Sequence, residues 1–431
     1  MPIATDTTNT NTLYKKIAWR LMPFLFFGYV AAYIDRMNVS FAKLQMAGDL
    51  GFSDTVYGMG AGIFFVGYFF FEVPSNIMLH KIGARIWLTR IMLMWGVISS
   101  AMMFADSPLS FYGLRLLLGM GEAGFFPGII LYLTYWFPNR YRAKCTAVFI
   151  FGIAFSGIIS GPISGWIMEN LQNVHNLRGW QWLFLLEGLL AVLLGCIAPF
   201  ILQDKPENAP WLTADEKRLV REHLTAEQQL AVTQHAAFKE ILANANIWLL
   251  SGIYFLLVAG LYSISFWLPQ IIHDFGQTSL VTTGLLSSIP YLCASIGMGL
   301  IAYYSDKHNE RYRIMLACML VGALGLFASA WFQSPISLSL LSLSIACTGI
   351  MACFTLFWTI PTKILSNTNM TAAAGIAMIN SLGGLGGYIG PFLLGWIKDT
   401  THNLSAGLYV LSIGLLMAMG LLILVQRRVA I

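Results

Sequence analysis

The sequence predicts an all-α membrane protein in which twelve transmembrane helices form two six-helix bundles related as parallel repeats. Three observations predict it. Hydrophobic residues fill 57% of the 431 positions and charged ones only 10%, whereas a soluble domain carries about 25% charged residues. Apolar runs of roughly 20 residues, long enough to cross about 30 Å of hydrocarbon as a helix, recur between short polar segments. Short elements of the first half return in the second at a near-constant displacement.

The chain opens with a polar, threonine-rich stretch, Met1 to Asn11, with no hydrophobic region before Leu21. Residues 1–18 are therefore expected to be a cytoplasmic tail, disordered at its start, and not a cleaved signal peptide. Six apolar runs follow at 19–40, 56–78, 87–105, 109–135, 145–168 and 181–202, giving a first bundle over 19–202. A charged segment, 203–245, then reads as a cytoplasmic linker with an amphipathic helix from Ala214. The second bundle, 246–426, holds runs at 246–270, 282–304, 313–331, 336–360, 371–396 and 405–426, before a short cytoplasmic tail at 427–431.

Three echoes connect the halves. Asp106-Ser107-Pro108 returns as Gln333-Ser334-Pro335, displaced by 227, and the Gly161-Pro162 to Gly165-Trp166 element returns as Gly390-Pro391 to Gly395-Trp396, displaced by 229. His80-Lys81 stands beside Asp306-Lys307 at a displacement of 226. Six spans separate the copies, so both have the same orientation, as in carriers whose central site lies between two bundles.

Of the 25 basic residues, 20 fall on the side of the two termini and 3 (Lys43, Arg178, Lys398) on the other, with Arg36 and Arg115 inside spans. By the positive-inside rule both termini are expected in the cytoplasm. This distribution also accounts for the net charge of +5 without any nucleic acid partner. The six cysteines lie in apolar surroundings with no pairing or metal spacing and read as small core residues. An enzyme is disfavoured, for want of a metal cluster, a nucleophile with its base, or a cofactor loop; the glycines at 383–387 follow no strand and precede no suitably placed lysine.

Charge inside the spans is the strongest functional signal, because ionised groups in hydrocarbon are costly and turn toward a cavity or toward one another. Tyr33-Ile34-Asp35-Arg36-Met37-Asn38 sits in the outer part of the first span, in a cavity or at its lipid interface. In the fourth span Arg115 and Glu122 are seven residues apart, near one face but about 10 Å apart along the axis, too far for a simple pair. Arg115 can grip a carboxylate in bidentate fashion and Glu122 can hold an exchangeable proton; a purely structural network is the alternative. Glu72 and Glu187 are weaker candidates that can simply bond across helices. The second half offers Tyr254, Tyr262, Ser265, Trp267, Gln270, Trp358, Thr359, Lys363 and Asn380 as wall candidates. Glycine and proline in the fifth and eleventh spans permit close contact and bends.

Taken together, Tyr33-Ile34-Asp35-Arg36, Arg115-x-x-x-Gly119-x-x-Glu122-Ala-Gly-Phe-Phe-Pro127, Arg178-Gly179-Trp180-Gln181-Trp182-Leu183-Phe184 and Gly161-Pro162 resemble the anion:cation symporter family of the major facilitator superfamily. The similar branch includes bacterial carriers for tartrate, related sugar acids and 4-hydroxyphenylacetate. The resemblance implies the major facilitator fold, Arg36 and Arg115 as anion-coordinating residues, Asp35 and Glu122 as proton-coupling acids, and Tyr33 on the substrate side. Tyr68 and Asn380 are looser matches to cavity residues. The superfamily's cytoplasmic loop, Gly-x-x-x-Asp-Arg-x-Gly-Arg-Arg, is altered here, with His80 in place of the acid.

The function implied is proton-coupled symport of a small organic carboxylate, such as a sugar acid, a tartrate-like acid or an aromatic acid. No cofactor is expected beyond the proton as coupling ion. The setting is a bacterial inner membrane, crossed many times, in lipid and as a monomer. A uniporter or exchanger for organic anions, and a membrane sensor that keeps the fold without transport, are the alternatives.

Overall fold

The computed structural model describes residues 7–230, 243–276, 279–308, 310–332, 335–366 and 372–429. Twelve helices among them are long and apolar enough to cross a membrane, and they match the twelve runs in order. In the first half these are α1 (Thr7–Leu50), α2 (Asp54–Ile82), α3 (Ala84–Ala101), the pair α4 (Pro108–Glu122) and α5 (Phe125–Trp136), α6 (Asn139–Asn170) and α7 (Gly179–Ile201). The linker supplies α8 (Ala214–Leu230). The second half contains α9 (Ala245–Asp274), α10 (Leu280–His308), α11 (Arg311–Trp331), α12 (Ile336–Phe357) with α13 (Thr359–Ser366), α14 (Ala372–Gly384) with α15 (Gly386–Thr401), and α16 (Leu404–Val429).

Three expected single spans are thus broken, each for a local reason. The fourth breaks after Glu122, where Gly124 takes φ +87°, a left-handed conformation that costs a side-chain-bearing residue and not glycine. The tenth bends at Trp358 and the eleventh at Leu385, between Gly384 and Gly386. Irregular backbone at membrane depth is tolerated where it lines a cavity, and all three breaks adjoin the central one described below. Ahead of α4, Ser107 and Ser110 close a reciprocal cap, and their hydrogen bonds to Asp106 hold that carboxyl below the usual carboxylate range.

Two sequence-based expectations about the tails change. Helix α1 already runs from Thr7, so the disorder expected through Asn11 does not extend that far, while residues 1–6 lie outside those described. The reason is packing: Leu13, Tyr14 and Ile17 are buried, with Tyr14 stacked on Tyr141 at 4.4 Å and bonded to His223 of α8 at 3.0 Å. Arg427 and Arg428 likewise continue α16, whereas residues 430–431 lie outside the described range. The linker helix begins at Ala214 as expected and docks on the first half through Lys16–Glu216 at 2.8 Å, and just ahead of it Trp211 stacks on Trp136. The rest of the linker, 231–242, is not described, nor are Gln333 and Ser334 of the repeat echo.

The halves meet along α2 against α15 and α6 against α10. Contact there is backbone to backbone: a Cβ on Gly161 would strike the carbonyl oxygen of Gly284, and one on Gly284 would strike that of Gly161. Such small-residue surfaces let helices pack closely in lipid, where no hydrophobic drive joins them. Large apolar side chains on the outside, Leu109, Phe200 and Trp331 among them, face outward where acyl chains would lie.

Candidate functional site

A cavity of about 320 Å³ lies between the halves. Helical spacing explains which side chains reach it. Tyr29, Tyr33 and Arg36 share one face of α1 at intervals of four and three, and Phe65, Tyr68, Phe69 and Glu72 share one face of α2. Opposite them stand Tyr254, Val258 and Tyr262, four residues apart on α9. Phe354, Thr355 and Trp358 close a further side at the end of α12, while Asn380, Ser381 and Gly384 come from α14. Phe126, Ile150 and Ile153 complete the wall.

Arg36 is the basic residue of this wall. One guanidinium nitrogen donates to the Tyr262 hydroxyl at 2.9 Å, and that hydroxyl lies 3.3 Å from the Tyr33 hydroxyl. The other terminal nitrogen pairs with Glu122, which sits just behind the wall, 1% exposed, with its second oxygen unpartnered among the described residues. The rings of Tyr33 and Phe64 each lie 5.0 Å from the guanidinium carbon, and Tyr68 lies at 5.7 Å. A cation held by one acid and encircled by aromatic faces is desolvated yet retained.

The other two charged candidates stand apart. Asp35, one residue from Arg36 and so about 100° around the helix, points away from the cavity, accepting from Ser99 on α3 and from Asn38 at 3.1 Å. Arg115 is fully buried outside the wall, where it donates to the carbonyls of Gly60 at 3.2 Å and Ala61 at 3.1 Å. Two donors of Arg115 are held by α2 carbonyls that carry a spare lone pair, its Nη1 has no partner among the described residues, and the side chain does not line the cavity in this conformation. Phe64 is the common neighbour of both arginines, 5.3 Å from Arg115 and 5.0 Å from Arg36.

Of the remaining candidates, Tyr33, Tyr68 and Asn380 reach the cavity, as do Tyr254, Tyr262 and Trp358. Asn380 donates to Glu72 across the halves at 3.3 Å. Glu187 is buried and accepts from Ser164 at 2.8 Å, a bond within the first half. Ser265, Trp267, Gln270, Thr359 and Lys363 are not in the wall. Tyr29 and Phe126 were not among the sequence candidates, although Tyr29, four residues before Tyr33, shares its helix face.

Sequence reasoning also missed a charged lattice beyond the cavity. Lys43, counted only as a basic residue on the side away from the termini, is inside α1 and 3% exposed. It pairs with Asp54 at 2.6 Å, donates to Gln270 at 3.1 Å and lies 4.1 Å from the centre of the Trp267 ring. Lys398 of the second half approaches Asp54 at 3.5 Å and Asp274 at 3.3 Å. Asp399 accepts from the backbone of Asp54 and Thr55 at 3.0 and 2.7 Å. The lattice seals the end away from the termini, and the cavity lies on the termini side of it.

Comparison with known proteins places this architecture. The profile of the Major Facilitator Superfamily matches residues 25–391. A protein of Agrobacterium vitis named "Putative tartrate transporter" is 45% identical over 420 residues, covering 96% of this chain and 95% of its own. The inner membrane transport protein RhmT of Escherichia coli is 37% identical, covering 98% of this chain and 97% of its own. The crystal structure of a bacterial homologue of the human lysosomal transporter Spinster, in an inward-facing and unoccupied conformation, superposes with a TM-score of 0.77 at 16% identity, covering 96% of this chain and 97% of that one. The chain therefore belongs to the major facilitator superfamily, and is a membrane transporter and not an enzyme.

Proposed function

We propose that the chain carries a small organic carboxylate together with a proton across the bacterial inner membrane, by alternating access, with both termini in the cytoplasm. The observation that carries this reading is the position of Arg36 in the cavity wall, paired with Glu122 behind it and bonded to Tyr262 of the other half. A guanidinium is the side chain best suited to a carboxylate. A substrate arriving at Arg36 competes with Glu122 for that cation. The displaced carboxyl, buried without a counter-charge, then takes up a proton, because an unpaired ion in such a place neutralises itself. Tyr33, Tyr68 and Asn380 complete the substrate contacts, and Asp35, buried on the other face of α1, tunes the charge of the site.

The relatives named for tartrate and for inner membrane transport support the substrate class and the location. The concentration of lysine and arginine on the side of the termini supports the orientation. The test is E122Q in proteoliposomes, with counterflow and proton-driven uptake measured in the same vesicles. The variant mimics the neutral acid permanently, so it should exchange labelled substrate yet fail to accumulate it. Normal accumulation with normal proton movement would move coupling to Asp35 or point to uniport.

A further inference from the structure

Resting on the carrier reading above, we propose that the substrate is a planar aromatic monocarboxylate, and not a dianion or a polyhydroxylated acid. Ten of the nineteen wall residues are aromatic, and they come from both halves. Tyr254 stacks on Phe354 at 5.7 Å and meets Trp358 edge-on at 4.8 Å, while Phe65 lies 4.3 Å from Tyr262. A flat ring entering the space extends an existing aromatic cluster, gaining offset and edge contacts that a saturated ring lacks.

Charge narrows the class further. Among the described residues Arg36 is the wall's one basic side chain and Glu72 its one acid. A first carboxylate has a partner; a second has none and meets Glu72. Hydroxyl groups fare little better, because several polar atoms of the wall are already committed. The Tyr33 and Tyr262 hydroxyls bond each other, Tyr262 also accepts from Arg36, Asn380 donates to Glu72, and Thr355 donates to the carbonyl of Met351 at 2.9 Å. The volume of about 320 Å³ is at the small end of the ~300–1,000 Å³ range of ligand pockets, suiting an acid of one or two rings.

Calorimetric titration of the detergent-purified full chain with benzoate, cyclohexanecarboxylate, phthalate and tartrate tests this, alongside counterflow of each labelled acid in proteoliposomes. Benzoate and cyclohexanecarboxylate share charge and approximate size but differ in the ring face, so benzoate should bind about three- to tenfold more tightly. Phthalate and tartrate should bind more weakly than benzoate, and E72Q should narrow the gap between phthalate and benzoate. W358F should preserve the preference for benzoate over cyclohexanecarboxylate, and W358L should reduce it. Equal binding of the two single-ring acids, or tighter binding of tartrate, would overturn the inference while leaving the carrier reading intact. Should none of the four bind or exchange in a preparation that is folded by its melting curve, the carboxylate reading itself falls and this inference with it.

Discussion

The guanidinium of Arg36 and the hydroxyl of Tyr262 stand 2.9 Å apart on opposite halves of the transporter, joining the two bundles at the wall of the cavity. Whatever binds at Arg36 therefore acts on a group that both halves hold.

Removing the hydroxyl with Y262F should weaken carboxylate binding about tenfold or more, because a lost hydrogen bond to a charged group is worth ~1.5 kcal/mol or more and the cation loses its fixed orientation. Binding isotherms of the variant and the parent decide it. Unchanged affinity would mean that Glu122 alone orients Arg36.

Arg115 should behave as a structural residue. R115K cannot reproduce the two bonds to the Gly60 and Ala61 carbonyls, so it should destabilise the protein by ~1–3 kcal/mol and lower the melting temperature, with the affinity of the folded fraction kept within about twofold. A normal melting curve with affinity lost more than about tenfold would return Arg115 to the substrate site in another conformation.

At the sealed end, D54N removes the acid shared by Lys43 and Lys398 and should shift the population toward opening on that side. S40C, in a background with the six native cysteines replaced, offers a probe, since Ser40 is buried between the halves beneath the seal. Its labelling by a membrane-impermeant maleimide added from the far side should rise about tenfold or more in D54N, a shift of ~1.4 kcal/mol. No rise would mean that the small-residue contacts at Gly161 and Gly284 hold the end shut without the charges.

Topology is checked with reporters. Fusions near Asn208 and after Ile431 should register as cytoplasmic and an insertion near Asn173 as periplasmic, as the bias of basic residues requires. Reversal at two of these sites would invert the proposed orientation.

Much of the fold was legible because lipid imposes a simple rule: every buried run must be a helix of spanning length, and twelve such runs stand out. Arg36 and Glu122 stood out for a related reason, since charge in hydrocarbon is conspicuous. The rotation of each helix was not legible. Asp35 and Arg36 are neighbours in sequence yet project about 100° apart around α1, and Arg115 gives two of its donors to backbone carbonyls that carry no sequence signal. The pairing of Lys43 was not legible because its partners, Asp54 of α2 and Trp267 with Gln270 of α9, come from two distant places in the chain. The broken spans escaped notice for a related reason: Gly124 and Gly384–Gly386 break a helix only where a cavity receives the loosened backbone.

The pairing of Arg36 with Glu122 has an electrical consequence. In the empty carrier the two charges cancel. On the proposed cycle the loaded carrier is also neutral at this site, since a substrate monoanion replaces the ionised Glu122 beside Arg36 and Glu122 is protonated. Neither transit then moves net charge through the field, so neither incurs the ~2.3 kcal/mol per charge per 100 mV that a membrane potential would impose. Uptake of a monocarboxylate should follow the pH gradient and remain flat when the potential is clamped with potassium and valinomycin, whereas a dianion carried with one proton would be driven outward by a potential negative inside.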